Sequence, residues 1–344
     1  MASQDAVAQK KRVFSGVQPT GALTLGNYLG ALKRFAEIQD EYDCFYSVVD
    51  LHALTVLPEP GALRSQIEDV AGFMLASGLD PKKVTLFVQS DVPCHVELGW
   101  IMECTATFGE LSRMTQFKEK SEGKETVSGG LFTYPALMAS DILLYQSDYV
   151  PVGDDQKQHV ELCRDLAIRF NSRYGATFKV PEPLIAATGA RIKSLQDPEK
   201  KMSKSDPNPL SYVALKDSPD EVVKKIRRAV TDSGREIVYD PDAKPALANL
   251  LTIYSHCAGQ SIPEVEAAYQ GKGYADFKNG LAEVVVETLR PVQDRFAALK
   301  GSGELGSILA AGARKANAVA APTLKLAKEK LGLSTLIDPV KRSI

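Results

Sequence analysis

The chain is poor in the groups that crosslink, anchor or hold a metal. Its 344 residues include five cysteines, at 44, 94, 104, 163 and 257, with no C-x-x-C pair among them. An odd, scattered set argues against a disulfide framework and a zinc knuckle and reads as buried thiols of a reducing compartment. Histidines are few, and His52 and His159 have no metal-ligand spacing to another histidine or a cysteine, so no protein-held metal is expected. There is no G-x-S-x-G nucleophile elbow and no recognisable Ser-His-Asp arrangement. No stretch reaches the ~18 apolar residues of a membrane span. The polar start, with Asp5 and Lys10-Lys11-Arg12, is followed by no apolar core of a signal peptide. A cytoplasmic protein with no membrane partner is expected. Neither sign of charge prevails: 41 Lys and Arg against 43 Asp and Glu leave a net charge of −2. That excludes a broadly cationic DNA binder and confines any nucleic-acid contact to a local patch.

What is present suffices for two domains. The length exceeds one ordinary core, and 44% hydrophobic with 24% charged residues is the make-up of a soluble globular protein. From residue 13, short apolar runs alternate with longer helical ones, the pattern of βαβ units around a parallel sheet. Val13-Phe14-Ser15-Gly16-Val17 reads as a first strand, residues 44–51 as a second, Val84-Thr85-Leu86-Phe87-Val88 as a third and Val150-Pro151-Val152 as a fourth. Leu29, Leu32, Phe35 and Ile38 stripe one helix, Val160, Cys163, Ala167, Phe170 and Tyr174 another, and a further helix is expected over 134–145. Residues 1–200 are therefore expected to form an α/β domain, a doubly wound Rossmann-like parallel sheet with ligands at the carboxyl ends of its strands. Beyond residue 200, helical patterns over 220–230, 246–257, 276–299 and 305–333 predict a mainly α-helical domain, 201–344. Glycines 123, 129 and 130 make 120–130 the best candidate for a mobile loop.

Two short segments suit phosphate. Lys201-Met202-Ser203-Lys204-Ser205 puts two ammonium groups and two hydroxyls on one loop, able to converge on a polyanion, although a solvated loop has the same composition. Gly21-Ala22-Leu23-Thr24-Leu25-Gly26-Asn27-Tyr28 leads from the first strand into the first helix, where glycines admit an anion close to backbone N–H groups. A structural turn would look alike. Asn27-Tyr28 stands where a P-loop needs Lys and Ser or Thr, which disfavours a P-loop NTPase. Asp141 lies inside an apolar run, and a buried carboxylate needs donors from the fold or from a ligand. His52 and His159 read as packing or hydrogen-bonding residues. Lys224, Lys225, Arg227 and Arg228 crowd one helix, and Arg314, Lys315, Lys325, Lys328, Lys330, Lys341 and Arg342 outnumber the acids after residue 312. Such runs are solvated faces or seats for nucleic-acid phosphates.

In combination, the early turn and the late lysine loop resemble the two nucleotide signatures of class I aminoacyl-tRNA synthetases, His-Ile-Gly-His and Lys-Met-Ser-Lys-Ser. Here the first is Thr24-Leu25-Gly26-Asn27, without either histidine, which is similar to the Thr-Ile-Gly-Asn of bacterial-type tryptophanyl-tRNA synthetases. The resemblance runs from Phe14 to about Leu331. It passes through Phe14-Ser15-Gly16-Val17-Gln18-Pro19-Thr20-Gly21, Arg113-Met114-Thr115-Gln116-Phe117-Lys118-Glu119-Lys120, Asp141-Ile142-Leu143-Leu144-Tyr145 and Val152-Gly153-Asp154-Asp155-Gln156-Lys157-Gln158-His159. It implies an enzyme that converts L-tryptophan and ATP, with Mg²⁺, to tryptophanyl-adenylate and then acylates tRNA(Trp). It also implies a homodimer.

Residue by residue, the resemblance implies that Gln18, Pro19, Thr20, Gly26 and Asn27 line the adenosine and phosphate site. Gly153, Asp154, Asp155 and Ile192 would hold ribose and adenine, and Lys201, Met202, Ser203, Lys204 and Ser205 the phosphates. Lys120 resembles a third lysine that reaches pyrophosphate, and Thr24 and Asn27 would be nearby donors. Asp141 would accept the indole N–H in a pocket of Phe14, Tyr134, Met138, Val150 and Val152, with Gln156 beside it. The alternatives are a tyrosyl-tRNA synthetase, which usually carries Lys-Phe-Gly-Lys-Ser, a small-molecule nucleotidyltransferase, and a catalytically silent RNA-binding relative with eroded phosphate residues.

Overall fold

The computed structural model describes residues 10–123, 125–153, 156–185 and 191–333. Five strands, β1 (Arg12–Val17), β2 (Asp43–Val48), β3 (Thr85–Val88), β4 (Tyr149–Val152) and β5 (Glu182–Ile185), form one parallel sheet in the order β3-β2-β1-β4-β5. Alternate residues feed opposite faces: Val13, Cys44, Tyr46 and Leu86 enter one apolar cluster, and Phe14, Phe45, Phe87 and Val150 the other. The winding reverses between β1 and β4, which opens a crevice beyond their carboxyl ends.

After β1 the chain enters a helix in three parts, α1 (Leu25–Asn27), a π-helical turn (Tyr28–Leu32) and α2 (Lys33–Ile38). The apolar repeat pointed to one regular helix; the π-turn leaves no mark in such a repeat. The predicted second strand stops early, because the Asp50 carboxylate accepts from Ser90 N–H at 3.0 Å and Ser90 Oγ at 2.5 Å and the chain turns into α3 (Asp50–Ala53). Helices α4 (Ala62–Ala76), α5 (Cys94–Thr105), α6 (Phe108–Ser112), α7 (Thr115–Ser121), α8 (Gly129–Leu143) and α9 (Lys157–Tyr174) complete this half. Much of the expected 120–130 loop is helical: Lys120 sits in the last turn of α7, and Gly129-Gly130 open α8, capped by Ser128 Oγ accepting from Leu131 N–H.

The remainder is helical, with α10 (Pro219–Arg227), α11 (Pro245–Ala258), α12 (Ile262–Ala268), α13 (Tyr274–Ser302) and α14 (Glu304–Leu331). Reciprocal Ser218–Glu221 and Ser261–Glu264 bonds, each followed by an early proline, start α10 and α12. The last helix returns to the sheet. At Gly312 it lies so close to edge strand β3 that a Cβ would stand 1.8 Å from the Leu86 carbonyl oxygen. This covers an otherwise open edge, and Ala313, Ala316, Ala320 and Ala327 join the aromatic cluster. The other cluster continues through both halves, from Val13 and Met74 to Leu250 and Leu289. Phe296 of α13 stacks on Phe73 of α4 with ring centroids 4.0 Å apart, in a space left by Gly72. Asp69 of α4 pairs with Lys216 at 2.5 Å and with Lys300 of α13 at 3.2 Å. Among the described residues no helix is long and apolar enough to cross a membrane.

Candidate active site

The glycine turn and the lysine loop meet. Gly21 has φ of +69°, which glycine adopts without a Cβ penalty. Lys204, 184 residues beyond Thr20, lies across this turn and donates from Nζ to Thr20 Oγ1 at 3.2 Å. Its stem runs so near Gly21 that a Cβ there would be 3.2 Å from Lys204 Cδ. Backbone bonds fix the approach: Leu25 N–H donates to Val213 O and Leu215 N–H to Leu23 O at 2.8 Å, and Met202 N–H donates to Ile192 O at 3.0 Å. From α11, Asn249 clamps Lys193, accepting from its N–H at 2.8 Å and donating to its carbonyl at 3.1 Å. Burial pushes the Lys204 ammonium down to about 8, the behaviour of a cation partly removed from water and open to an anionic partner.

Thr24 acts one step behind this surface. Its hydroxyl donates to Asn27 Oδ1 at 2.9 Å and accepts from Asn27 N–H at 3.3 Å, and its own N–H donates to the same Oδ1 at 2.9 Å. With Oδ1 engaged twice, Asn27 turns its amide Nδ2 outward as a donor at a helix N-terminus. Thr24, expected as a nearby donor, thus uses its hydroxyl hydrogen on Asn27.

Asp141 of α8 lies in the crevice's apolar wall and is 1% exposed. Its Oδ1 accepts from Gln89 Nε2 at 2.6 Å and lies 2.6 Å from His95 Nδ1, and Oδ2 lies 2.8 Å from His52 Nε2. His95 Nε2 is 2.7 Å from Tyr145 Oη. Burial works to raise the carboxyl's pKa, but the hydrogen bonds from His52 and His95 outweigh it and hold the group at about 2. Phe14 stacks on Tyr145 at 5.4 Å; Phe14 and Val150, with Met138 and Val152 at the margin, belong to the same apolar cluster. Tyr134 stands edge-on to His52 at 6.1 Å, its hydroxyl 2.6 Å from His159 Nε2 and donating to Gln116 Oε1 at 3.2 Å. Lys120 donates to the same Oε1 at 3.2 Å and lies 5.8 Å over the Tyr134 ring, so α7 brings this lysine to the pocket.

The sequence-predicted residues therefore gather in two adjoining sets. Gln18, whose amide donates to His52 O at 2.9 Å, joins them; Pro19 is buried beside Thr20, and Gly26 touches Met202 and Ile192. Ile192 and Met202 are core residues that hold the loop from beneath, whereas Lys201, Ser203 and Ser205 are exposed. Gly153 and Gln156 flank Asp154 and Asp155, which lie outside the described residues. Sequence reasoning missed Gln89, His95, Tyr145 and Asn249. The one signal for the first three was Asp141 itself, since a buried carboxylate requires polar partners from other apolar runs. Among the described residues no His, Cys, Asp and Glu cluster is arranged to hold a metal.

A doubly wound sheet whose glycine turn after β1 meets a lysine loop placed after the sheet is the arrangement of a class I aminoacyl-tRNA synthetase. The family described as tRNA synthetases class I (W and Y) matches residues 7–290. The chain is 56% identical over 324 residues to the tryptophan–tRNA ligase of Halalkalibacterium halodurans, covering 94% of this chain and 98% of that protein. It is 54% identical to that of Bacillus subtilis, with the same coverage. Among solved structures it is similar to tryptophanyl-tRNA synthetase from Mycoplasma pneumoniae, with a TM-score of 0.89, 39% identity and coverage of 95% of this chain and 99% of that one. The enzyme from Campylobacter jejuni, complexed with ADP and tryptophan, gives a TM-score of 0.80 and 33% identity over 93% of this chain and 99% of that one. The chain belongs to the tryptophanyl-tRNA synthetases and is an aminoacyl-tRNA ligase.

Proposed function

We propose that this enzyme activates L-tryptophan with MgATP and transfers it to the 3′-terminal adenosine of tRNA(Trp). The contact that carries this reading is Lys204 on Thr20, which joins the two nucleotide signatures into one site next to the Asp141 pocket. The tryptophan carboxylate is already ionised and attacks the α-phosphorus of ATP without a protein base. Catalysis then consists of in-line placement and neutralisation of charge on the departing pyrophosphate. Lys204, Lys201 and Lys120 supply cations, and Asn27 Nδ2 a neutral donor. Mg²⁺ arrives on the triphosphate, because a hard cation that keeps its waters needs only phosphate oxygens. Gly153, Asp154 and Asp155 take ribose and adenine, with the buried Ile192 supporting the loop beneath them and Ser203 and Ser205 beside the phosphates. Asp141 accepts the indole N–H, and Phe14, Tyr134, Met138, Val150, Val152 and Gln156 surround the ring.

Residues 1–200 form the catalytic part, and 201–344 supply its lysine loop and the helical, anticodon-binding part that meets tRNA, with α14 packed back on the sheet. The basic helix α10 suits tRNA phosphates through Lys224 and Arg228, since Lys225 is paired with Asp217 at 2.6 Å and Arg227 donates to Asn279 at 2.9 Å. The family resemblance implies a homodimer, and Leu57, Trp100 and Phe108, 78%, 67% and 77% exposed, are large apolar side chains that a partner surface would cover. All five cysteines are free thiols, which suits a cytoplasmic enzyme, although only Cys44, Cys94 and Cys163 are buried as expected, with Cys257 half-buried and Cys104 exposed at the end of α5. Pyrophosphate–ATP exchange with each amino acid in turn tests the reading. Tryptophan should stimulate exchange and tRNA(Trp) should then be charged; no stimulation by tryptophan refutes it.

A further inference from the structure

Asp141 has more internal donors than a carboxylate reserved for one ligand requires. A carboxylate offers about four lone-pair positions. Gln89 and His95 occupy both on Oδ1, and His52 one on Oδ2. One position remains, on Oδ2. His95 and Tyr145 are fully buried behind the pocket, so their pairing serves Asp141 and not the ligand directly. An ionised Asp141 only accepts, so the His95 hydrogen sits on Nδ1. A ring with its single hydrogen on Nδ1 offers Nε2 as an acceptor to the Tyr145 hydroxyl, 2.7 Å away, and that contact favours this tautomer.

We propose that His95 and Tyr145 are positioning residues for amino-acid selection: they lock the imidazole with its hydrogen on Nδ1 and, with Gln89, saturate Oδ1, so that Asp141 presents one acceptor to one N–H of the substrate side chain. This rests on the proposed seat of the indole at Asp141. An analogue without that N–H leaves an ionised acceptor unfilled in an apolar pocket, the arrangement that rejects analogues most strongly. Without the His95 donor, the carboxylate has vacancies on both oxygens and can turn or take a water. Rejection then weakens while the phosphate chemistry is untouched.

The test compares tryptophan with β-(3-benzothienyl)alanine, in which sulfur replaces the indole N–H, by kcat/KM in pyrophosphate–ATP exchange. The wild type should prefer tryptophan by ~10²-fold or more. His95→Leu should reduce that preference about tenfold while kcat with tryptophan stays within about threefold, the split expected of a residue acting on selection alone. His95→Asn puts an amide N–H where Nδ1–H stood and should restore the preference. Imidazole ¹⁵N shifts, simple to assign with four histidines in the chain, should show protonated Nδ1 and bare Nε2 for His95, and Tyr145→Phe should abolish that signature and lower the preference. Equal preference in His95→Leu and wild type, or a His95 proton on Nε2, overturns the proposal. If His95→Leu does not fold, Tyr145→Phe decides by the same two readouts. Asp141→Ala, which removes the acceptor altogether, separates the layers. If it retains the preference, the indole is seated elsewhere; if it loses the preference and the His95 and Tyr145 variants do not, the seat stands and the positioning role falls.

Discussion

The charge of Lys204 is expected to set the alkaline limit of the first reaction step. Packed on Thr20 and Gly21, its ammonium falls from 10.5 to about 8 through burial. The sign follows directly: the cation that a triphosphate needs is present below about 8 and lost above it. In the free enzyme, kcat/KM for ATP should therefore fall about tenfold for each pH unit beyond 8. Replacing the side chain by alanine removes one charge acting on the leaving group, at a cost of about 10²-fold near neutrality. Two pH units above 8, the wild type has lost the same ~10²-fold by deprotonation, so the two profiles should converge near pH 10. Lys204→Arg keeps its charge throughout that range and should start lower, because the planar fork fits poorly over Gly21, but remain level. The assay is pyrophosphate–ATP exchange at limiting ATP and saturating tryptophan from pH 6.5 to 10, with the folded fraction followed in parallel. An alkaline limb with the same midpoint in Lys204→Arg, or a wild-type profile flat through pH 9.5, would refute the reasoning.

Gly312→Ala drives a methyl into the Leu86 carbonyl; a loss of about 3 kcal/mol or more is expected by urea denaturation, and a loss below about 1 kcal/mol would show that α14 does not rest on β3 in solution. Phe296→Ala removes the half-buried ring stacked on Phe73 and should cost about 1–3 kcal/mol in the same measurement. Thr24→Ala should lower kcat/KM for ATP about tenfold by releasing Asn27, and cost about 1 kcal/mol as a lost cap. Thr24→Ser should restore both, and unchanged ATP kinetics in Thr24→Ala would remove Thr24 from the positioning of Asn27.

The strands β1 to β4 were legible because their apolar runs are local. The fifth was not: Glu182-Pro183-Leu184-Ile185 is short, opens with a charge and contains proline, as an edge strand tolerates. Helix α5 escaped for the opposite reason. Cys94, His95, Leu98, Gly99, Ile101 and Met102 are all buried, which leaves little polar contrast for a helical period. The glycine turn and the lysine loop could be read because each is contiguous. The groups that orient them and fill the lone pairs of Asp141 could not, since His95 meets Asp141 across 46 residues and Asn249 meets Lys193 across 56. Gly312 looks like one more small residue in an alanine-rich helix, and only the Leu86 backbone gives it meaning.

The backbone bonds around the lysine loop have a consequence for concentration. Met202 is tied to Ile192, and Val213 and Leu215 to Leu25 and Leu23, so residues 203–212 form a ring closed by hydrogen bonds on the same body that carries Thr20. Lys204 stands two residues from the nearer tie. At about 3.5 Å per residue, its backbone can stray only about 7 Å, a sphere of roughly 1,400 Å³. One ammonium in that volume is on the order of 1 M, well above the millimolar effective concentrations of ordinary flexible linkers. On the proposed reading of Lys204, ATP meets a cation already delivered to its phosphates, and lengthening the ring would weaken the enzyme by dilution alone, with every side chain in place.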